Sequence, residues 1–258
     1  MMVKTTIVLS YFVCLLLINS VRLTGDVQKN SRIARKIATK MLRASNAKVQ
    51  AFGVENIPQE GGTMIVVNHK SLWDVFVVAA TVNRPMGFVA AKELYVFPLT
   101  QYLDAIRCVC LDRFIDAAVN KKMVVETQRK VVDALQSGYC LTIYPEGGLV
   151  YGDDLGDFKT ASFSAPQKTD AHVVPAYISG TVGINKKGRW LVIPKTRITI
   201  VFGKAIRPSA AGAKNSAELC AVVREKIEAL KEEITKDHRQ EANGAATGQE
   251  DAGIGGNA

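Results

Sequence analysis

The chain has 258 residues, which is enough for one large domain or for a domain with an appendage. Hydrophobic residues make up 48% and charged residues 22%, so the composition is that of a globular protein and excludes wholesale disorder. Only one uncharged apolar stretch approaches bilayer length, which excludes a polytopic membrane protein. The net charge is +9. The cysteines are scattered and odd in number, which indicates a reducing compartment without a disulfide framework: Cys14, Cys108, Cys110, Cys140 and Cys220.

Residues 1–23 are predicted to form a hydrophobic membrane anchor. Thr5 to Val21 carry no charge and would span roughly 25 Å as a helix, slightly less than the hydrocarbon core of a bilayer. A cleaved signal peptide is one alternative, although the string INSVRLTG offers a poor cleavage site. A buried core helix is another, although LLLI at a chain terminus is unusual for one. Only Lys4 precedes the apolar run, so the positive-inside rule places the rest of the chain on the cytoplasmic face of the cell membrane.

Residues 24–50 are predicted to form a basic amphipathic helix that lies on the membrane surface. The stretch from Arg22 to Lys48 holds eight basic residues and one acidic residue, Asp26, and so accounts for seven of the nine net charges. Apolar residues recur at helical spacing among them, and such a helix binds anionic lipid. A solvated helix face is the alternative. Nucleic acid is not expected as a partner, because no aromatic residue interrupts the basic run and no nucleic-acid motif follows.

Residues 51–237 are predicted to form one α/β domain with a mixed, largely parallel sheet flanked by helices, because short apolar runs alternate with helical periodicity. A last helix is expected from Asn215, capped by that residue and by Glu218, to about Asp237. Residues 238–258 are rich in Gly and Ala and are expected to be disordered. The predicted strands are Thr63–Val67, Gly87–Ala91, Arg107–Leu111, Tyr139–Tyr144, Val173–Ile178 and Thr196–Phe202. The other predicted helices are Ser71–Val82, Leu94–Ala105, Ala117–Gln136 and Thr160–Lys168.

A candidate catalytic pair lies at the end of the first of these strands, in the string NHKSLWD. His69 follows the strand, at the edge of an open α/β sheet where active sites collect. Asp74 comes five residues later and would not face His69 within one continuous helix. The two side chains meet if His69 lies in a turn and the helix begins after it, with Ser71 as N-cap. Asp74 would then fix the imidazole tautomer and leave His69 free to take a proton. The alternative is a plain helix cap beside a structural histidine.

Further candidate residues follow other predicted strands. Glu146 and Gly147 come after the strand YCLTIY, and a glycine there allows backbone amides to approach an anion. Three cations lie at comparable strand ends, where they would suit a phosphate-bearing substrate: Lys92, Arg113 and Lys159. Each of these residues alone is also compatible with an ordinary turn or a surface charge.

Other kinds of chemistry receive little support. Cys108 and Cys110 lack a second pair of ligands, so they are interpreted as buried thiols and no metal site is expected. The chain has no glycine-rich nucleotide fingerprint or P-loop, and Ser71 has no nucleophile elbow around it. A His/Asp hydrolase would need a nucleophile or a metal cluster, and the sequence offers neither.

Together these strings resemble the glycerolipid acyltransferases of the PlsC type. The resemblance extends from about Gly53 to Arg207. NHKSLWD is similar to the first block of the family, with its His-x4-Asp pattern, and GVENIP precedes it. AAKEL resembles the family's lysine stretch before the second block, and CVCLDR resembles the second block. YPEGG resembles the third block, and VVPAYISG resembles the fourth. DFKTASF is similar to the segment that links the third and fourth blocks. Four blocks in the family's order are a far more specific signal than His-x4-Asp alone.

The resemblance implies a membrane-bound O-acyltransferase that moves a fatty acyl group from acyl-CoA or acyl-carrier protein to the sn-2 hydroxyl of lysophosphatidic acid. By that resemblance His69 is the general base and Asp74 orients it, with no covalent acyl-enzyme and no cofactor. Arg113, Glu146 and Gly147 are implied in acceptor binding, with Lys92 as a further phosphate contact. The implied partners are membrane lipids, the thioester donor and a lysophospholipid.

One departure from the family concerns the third block. The family usually continues Glu-Gly-Thr-Arg-Ser, whereas this chain has Glu146-Gly147-Gly148-Leu149-Val150 and lacks the arginine. Lys159 is a candidate replacement. The alternative is another acceptor, either a different lysophospholipid or a lyso-aminolipid. A different class, a catalytically silent lipid-binding protein of the same fold, stays open at this point.

Overall fold

The computed structural model describes residues 2–112, 121–152, 154–184 and 196–250, without the side chains of residues 2–5, 121–123 and 237–250. Several single-turn 3-10 segments separate the main elements. The helices are α1 (Met2–Ser20), α2 (Val27–Ala44), α3 (Asp74–Thr81), α4 (Leu99–Ala105), α5 (Lys121–Gln136), α6 (Ser164–Thr169) and α7 (Ser216–Glu250). The strands are β1 (Lys48–Phe52), β2 (Thr63–Val67), β3 (Met86–Ala91), β4 (Val109–Leu111), β5 (Cys140–Ile143), β6 (His172–Ser179) and β7 (Arg197–Phe202).

The strands form one mixed sheet in the order β1-β7-β6-β2-β5-β3-β4. From β6 to β4 all neighbours are parallel. β7 runs antiparallel to β6, and β1 runs parallel to β7. A parallel strand that is buried on both faces does not alternate between apolar and polar residues. β2 has the largely apolar sequence TMIVV, and all five of its residues are buried.

Two hydrophobic clusters fill the two faces of the sheet. Ile65 and Val67 of β2 point into the cluster formed with α1 to α4. Met64 and Val66 point to the opposite face and pack with residues of α5, α6 and α7. Alternate residues of a strand face opposite sides, so the single strand β2 joins both halves of the core. This three-layer arrangement confirms the predicted α/β domain with a largely parallel sheet.

The strand pattern follows the apolar runs closely. The six predicted strands correspond to β2 to β7, with ends that differ by at most two residues. β1 was not predicted, because its sequence KVQAF is short, largely exposed and continuous with the basic run. The predicted surface helix to residue 50 is therefore too long: α2 ends at Ala44, and Lys48 begins β1.

The amino-terminal helix differs from the expected free anchor. In α1, Val8, Leu15 and Leu16 are buried in the core cluster. Phe12 meets Phe76 of α3 edge to face at 5.3 Å between ring centroids. One face of α1 is thus docked on the domain. In the described part of the chain, no helix combines the length and the apolar character needed to cross a bilayer, and the predicted spanning anchor finds no support.

The carboxy-terminal helix begins as predicted and continues further. The Asn215 side chain accepts hydrogen bonds from the N–H groups of Ala217 and Glu218, and Glu218 accepts one from Lys214 N–H. This reciprocal pattern closes the amino end of α7. The helix continues to Glu250 rather than ending near Asp237, so residues 238–250 differ from the expected disorder. Ala, Glu and Gln dominate this extension, and they favour helix.

Candidate active site

Three of the predicted site residues, His69, Asp74 and Glu146, meet at the carboxyl edge of the parallel strands. His69 lies two residues beyond β2, and Asp74 begins α3. Glu146 follows the neighbouring strand β5. Parallel neighbours bring their carboxyl ends to one edge, so residues far apart in sequence become neighbours.

His69 and Asp74 form a direct hydrogen bond. His69 Nδ1 lies 2.9 Å from Asp74 Oδ2, and the Asp74 side chain is fully buried while 13% of the His69 side chain is exposed. The same Oδ2 accepts hydrogen bonds from the N–H groups of Lys70, at 2.8 Å, and Ser71, at 2.9 Å. Three groups therefore converge on one carboxylate oxygen.

This convergence fixes the donor and acceptor roles at both groups. Two backbone N–H groups only donate, so Asp74 Oδ2 acts as an acceptor. His69 must then donate through Nδ1, which leaves the lone pair on Nε2. The pair is thus arranged as a base whose other ring nitrogen is held by a buried carboxyl group.

The helix cap differs from the prediction. α3 starts at Asp74 itself, and Ser71 Oγ accepts from Trp73 N–H at 3.2 Å in the turn before the helix. Ser71 is therefore a turn residue rather than the N-cap. The prediction that His69 lies outside the helix is confirmed, because the turn from Asn68 to Trp73 folds His69 back over Asp74.

Glu146 holds the main chain of His69. Its Oε2 accepts from His69 N–H at 2.7 Å, and its Oε1 accepts from Gly156 N–H at 3.0 Å. Val150 N–H donates to the His69 carbonyl at 2.9 Å, so both backbone groups of His69 are bound to one loop. Burial raises the pKa of the Glu146 carboxyl, against the opposing effect of these two N–H donors. Both carboxylate oxygens of Glu146 are therefore engaged with backbone N–H groups.

Tyr144 restrains the imidazole ring. Its ring stacks on His69 with 4.0 Å between centroids and 19° between planes. Its hydroxyl is buried and has no hydrogen-bond partner in the described residues. Burial, with a smaller effect of Asp74, raises the pKa of Tyr144 well above its usual value, so the phenol stays neutral. Tyr144 was not among the predicted residues, although it lies in the YPEGG string.

Two further residues of the NHKSLWD string support the turn. Asn68 is fully buried, and its side-chain amide makes two hydrogen bonds with the backbone of Ile178 in β6, at 3.0 and 2.8 Å. Lys70 is also buried, and its ammonium donates to the carbonyls of Gly152 and Asp154. Sequence reasoning missed both, although an amide and an ammonium beside His69 were visible in that string.

Two glycines shape the loop after β5. Gly147 has φ +76°, a conformation that L side chains rarely adopt. A Cβ on Gly156 would lie 2.6 Å from a methyl group of Val150 and 3.3 Å from the Glu146 side chain. Gly156 therefore lets the loop close onto Glu146, a requirement that the sequence alone did not reveal.

The predicted cations occupy different positions. Lys92, at the end of β3, pairs with Asp112 at 3.0 Å, which raises the pKa of its ammonium. Lys159 is exposed, and its aliphatic chain lies 3.7 Å from the position that a Cβ on Gly147 would take. In the ranges the structure covers, no carboxylate pairs with the Lys159 ammonium. Arg113 lies outside the described residues.

Cys108 lies in surroundings that do not favour the thiolate form. Burial raises the pKa of Cys108 to about 12, and the thiol accepts from Phe88 N–H. Such a thiol is a poor nucleophile and a poor metal ligand. Among the residues described, no group of three His, Cys, Asp or Glu side chains is placed to hold a metal ion.

The fold and the histidine–aspartate pair at its strand edge define a class of protein, and comparison with known proteins agrees. The sequence profile of the Acyltransferase family matches residues 48–179, which include His69, Asp74 and Glu146. The chain belongs to the Acyltransferase family, and the predicted resemblance and class of enzyme are confirmed.

Relatives of similar sequence carry more specific names. A 1-acyl-sn-glycerol-3-phosphate acyltransferase of Chlamydomonas reinhardtii is 25% identical over 182 residues, covering 70% of this chain and 52% of that protein. A chloroplastic protein of the same name from Arabidopsis thaliana is 25% identical, covering 70% and 48%. A probable 1-acyl-sn-glycerol-3-phosphate acyltransferase of Mycoplasma pneumoniae is 23% identical, covering 67% of each. The chain thus spans about half the length of the algal and plant relatives.

A solved structure shares the fold. The crystal structure of the 1-acyl-sn-glycerophosphate acyltransferase PlsC from Thermotoga maritima matches with a TM-score of 0.75 and 23% identity, covering 90% of this chain and 94% of that one. At 23% identity the match supports a shared fold and nothing more specific.

Proposed function

We propose that this chain transfers a fatty acyl group from an acyl thioester to the sn-2 hydroxyl of lysophosphatidic acid and so produces phosphatidic acid. The observation that carries the proposal is the His69–Asp74 pair, whose geometry leaves Nε2 as a base. The names of the relatives supply the acceptor, because each is a 1-acyl-sn-glycerol-3-phosphate acyltransferase.

The proposed reaction begins with proton transfer from the acceptor hydroxyl to His69 Nε2. The hydroxyl oxygen attacks the thioester carbonyl as the proton leaves, so a C–O bond forms and the carbonyl electrons move to oxygen. The imidazolium is stabilised by the buried Asp74 carboxylate 2.9 Å from Nδ1. The C–S bond then breaks, and the thiolate takes the proton back from His69. Proton and leaving group balance without a covalent acyl-enzyme.

Acceptor binding is proposed to use the cations around this edge. Lys159 stands beside the glycine turn at Gly147, where the family arginine is absent, and its exposed ammonium can approach a phosphate. Lys92 would share its charge between Asp112 and the acceptor. Arg113 keeps its proposed role from the family resemblance. Glu146 acts on the acceptor only through His69, because both its oxygens are engaged in the loop.

A less charged acceptor is a second candidate because of the residue at position 149. Leu149 stands where the family has the arginine that commonly contacts the acceptor phosphate. An apolar residue there favours a less charged acceptor, such as another lysophospholipid or a lyso-aminolipid. The proposed chemistry at His69 is the same for either acceptor.

The protein is proposed to attach to the surface of the cell membrane through α1 and α2. The docked helix α1 leaves an apolar face in solvent, where Ile7 and Ile18 are each 61% exposed, and Val21 after it is 86% exposed. Apolar surface of this kind marks a membrane or protein contact. Lys29, Lys36 and Lys40 of α2 line a groove together with Val21 and would bind anionic lipid. Anionic lipid is typical of the cytoplasmic leaflet, so attachment is proposed on that face.

The acceptor is tested by an assay with two lipids and two donors. The full chain in detergent micelles receives a labelled acyl group on acyl-CoA or on acyl-carrier protein, with lysophosphatidic acid or lysophosphatidylcholine as acceptor. Labelled phosphatidic acid formed by the wild type and not by His69→Ala is the expected result. Acylation of lysophosphatidylcholine alone would leave the chemistry intact and replace the acceptor. No product with any pair would contradict the proposed function.

Membrane attachment is tested by vesicle flotation. The wild type is expected to float with vesicles that contain phosphatidylglycerol, whereas Ile7→Ser/Ile18→Ser loses most of this binding because the exposed apolar face is interrupted. Val125→Ser, which changes an exposed apolar residue on α5, serves as the control. Equal flotation of all three proteins would contradict the proposed attachment through α1.

A further inference from the structure

A cavity of about 210 Å³ lies far from His69, between α2 and the turn that joins α3 to β3. Pro85 and Met86, at the beginning of β3, border the cavity and place it at the amino edge of the sheet. His69 and Asp74 lie at the opposite, carboxyl edge. Its volume is below the roughly 300–1,000 Å³ of pockets for drug-sized ligands. A single phosphate group would fit there.

Three arginines surround this cavity: Arg32 and Arg35 on α2 and Arg84 before β3. Arg35 donates to the carbonyl of Ala80 and to the side chain of Asn83, and its Nη2 makes no hydrogen bond in the described part of the chain. Arg32 is exposed, and no described side chain pairs with it.

Arg84 is held rigidly while one donor stays unused. Its two terminal nitrogens donate to three backbone carbonyls and to the hydroxyl of Thr63. Its Nε is buried and has no hydrogen-bond partner among the residues described. Arg84 also lines the cavity, so these contacts hold a fixed positive charge beside it.

The charge around the cavity is uncompensated. All acceptors of Arg35 and Arg84 are neutral carbonyl, amide or hydroxyl oxygens. No carboxylate of the described residues lines the cavity or pairs with any of the three arginines. Three arginines that line a small space without a carboxylate beside them make its surroundings positive, and guanidinium is the side chain best suited to phosphate oxygens.

We propose that the cavity between Arg32, Arg35 and Arg84 is an anion site that binds one phosphate group. The anion would accept from the free Nη2 of Arg35, the positive charge of Arg84 would lie behind it, and Arg32 would close the open side. This site is separate from the acyl-transfer site, and it does not depend on the identity of the acceptor.

The phosphate has two possible sources. Arg32 also borders the groove between α1 and α2, which is lined by Arg22, Lys29, Lys36 and Lys40 and by apolar side chains. A phospholipid headgroup at the membrane surface could therefore reach the cavity. Free phosphate from solution is the other source, with the same recognition chemistry.

The site is tested first with inorganic phosphate. Equilibrium dialysis of the full chain against labelled phosphate is carried out in a Lys159→Gln background, which weakens phosphate binding at the acyl-transfer site. The parent is expected to bind one phosphate. Arg35→Gln and Arg32→Gln are expected to weaken this binding by about tenfold or more, as for loss of a charge-assisted hydrogen bond. Arg43→Gln removes one exposed arginine from the last turn of α2, outside the cavity, and should bind as the parent does.

Equal phosphate binding by the parent and by both cavity variants would overturn the proposal, as would a parent that binds none. Should Arg35→Gln fail to fold, Arg32→Gln decides, because Arg32 is exposed and supports no described contact. Acyl transfer in micelles by Arg32→Gln, with no other substitution, measures independently whether the acyl-transfer site at His69 is intact.

Vesicles then distinguish the two sources. Flotation with phosphatidylglycerol vesicles that is weakened more by Arg32→Gln and Arg35→Gln than by Arg43→Gln assigns the site to a lipid headgroup. Equal weakening by the three variants, together with the expected dialysis result, assigns it to free phosphate.

Discussion

Tyr144 lies flat against His69, with 4.0 Å between the two ring centroids and 19° between the ring planes. The imidazole is thus held by a stacked ring and, through Nδ1, by Asp74 at 2.9 Å. Its backbone N–H and carbonyl are bound to Glu146 and Val150. These contacts leave the ring little freedom, and Nε2 is the one ring nitrogen not engaged by Asp74. Such preorganisation is what a general base requires.

The stacking predicts different results for two substitutions of Tyr144. Tyr144→Phe keeps the aromatic face and removes a buried hydroxyl without a described partner, so we expect nearly unchanged activity and a free energy of unfolding equal or higher by about 1 kcal/mol. Tyr144→Ala removes the stack and should lower kcat by about tenfold or more. Steady-state acyl transfer and chemical denaturation check both. A fall in kcat of similar size in Tyr144→Phe would show that the hydroxyl, and not the ring, is needed.

Substitution of Asp74 should affect the chemical step more than substrate binding. Asp74→Asn replaces one carboxylate oxygen with an N–H donor, which disturbs the acceptor shared by His69, Lys70 and Ser71. We expect kcat to fall on the order of 10³-fold, with KM for the acceptor changed little. Val75→Ala, one residue further along α3, is the control and should lose only stability. A rise in KM at constant kcat would contradict the orienting role of Asp74.

Glu146 gives a pH-dependent prediction. Burial raises its pKa in the folded protein, so the native state binds the proton more tightly than the unfolded chain does. Its contribution to the free energy of unfolding is therefore greatest below the unfolded pKa and decreases as the pH rises toward the raised folded pKa. The stability of the wild type relative to Glu146→Gln should fall across this window, as measured by urea denaturation at a series of pH values.

The activity of the wild type should move in the opposite direction with pH. The ionised Glu146 accepts from His69 N–H and Gly156 N–H more strongly than the protonated acid does, so activity should fall as the pH falls through the raised pKa. Glu55→Gln, which changes an exposed glutamate, should show the pH dependence of the wild type in both measurements. A relative stability of Glu146→Gln that does not vary with pH would contradict this description of the buried carboxyl.

Lys159 is predicted to replace the missing arginine of the third block. Lys159→Gln should raise KM for lysophosphatidic acid by about tenfold and leave KM for the donor unchanged. Lys204→Gln removes an exposed lysine after β7, whose direction places it at the opposite edge of the sheet, and should have no such effect. Leu149→Arg should restore phosphate binding to Lys159→Gln. Failure of Lys159→Gln to change KM would reject Lys159 as the phosphate contact.

Much of the site was predictable because its signals are local. An apolar strand followed by NHKSLWD places His69 at a sheet edge, and the spacing to Asp74 excludes a shared continuous helix. The role of Glu146 was not predictable in the same way. Its hydrogen bond with His69 joins residues 77 positions apart, so only the pairing of β2 with β5 brings them together.

The differences elsewhere have similar causes. The sequence of α1 is apolar on all sides, and this pattern does not distinguish a helix in lipid from one docked on a domain. Contacts such as Phe12–Phe76 show that α1 is docked on the domain. β1 has little apolar content and follows a basic helix, so its sequence does not indicate a strand. It forms a strand because it pairs with β7, which is distant in sequence. Ser71 was predicted as a cap from its spacing to Asp74, but the Asp74 side chain itself accepts from the N–H groups of Lys70 and Ser71.

The base role of His69 is tested most directly by the rate of acyl transfer in His69→Ala and His69→Gln, each first shown to unfold at the same denaturant concentration as the wild type. The structure places one free imidazole nitrogen at the site, so both variants are expected to lose kcat on the order of 10³-fold or more while still binding the acceptor. A folded His69→Ala that keeps more than about a tenth of the wild-type kcat would contradict the assignment of His69 as the base.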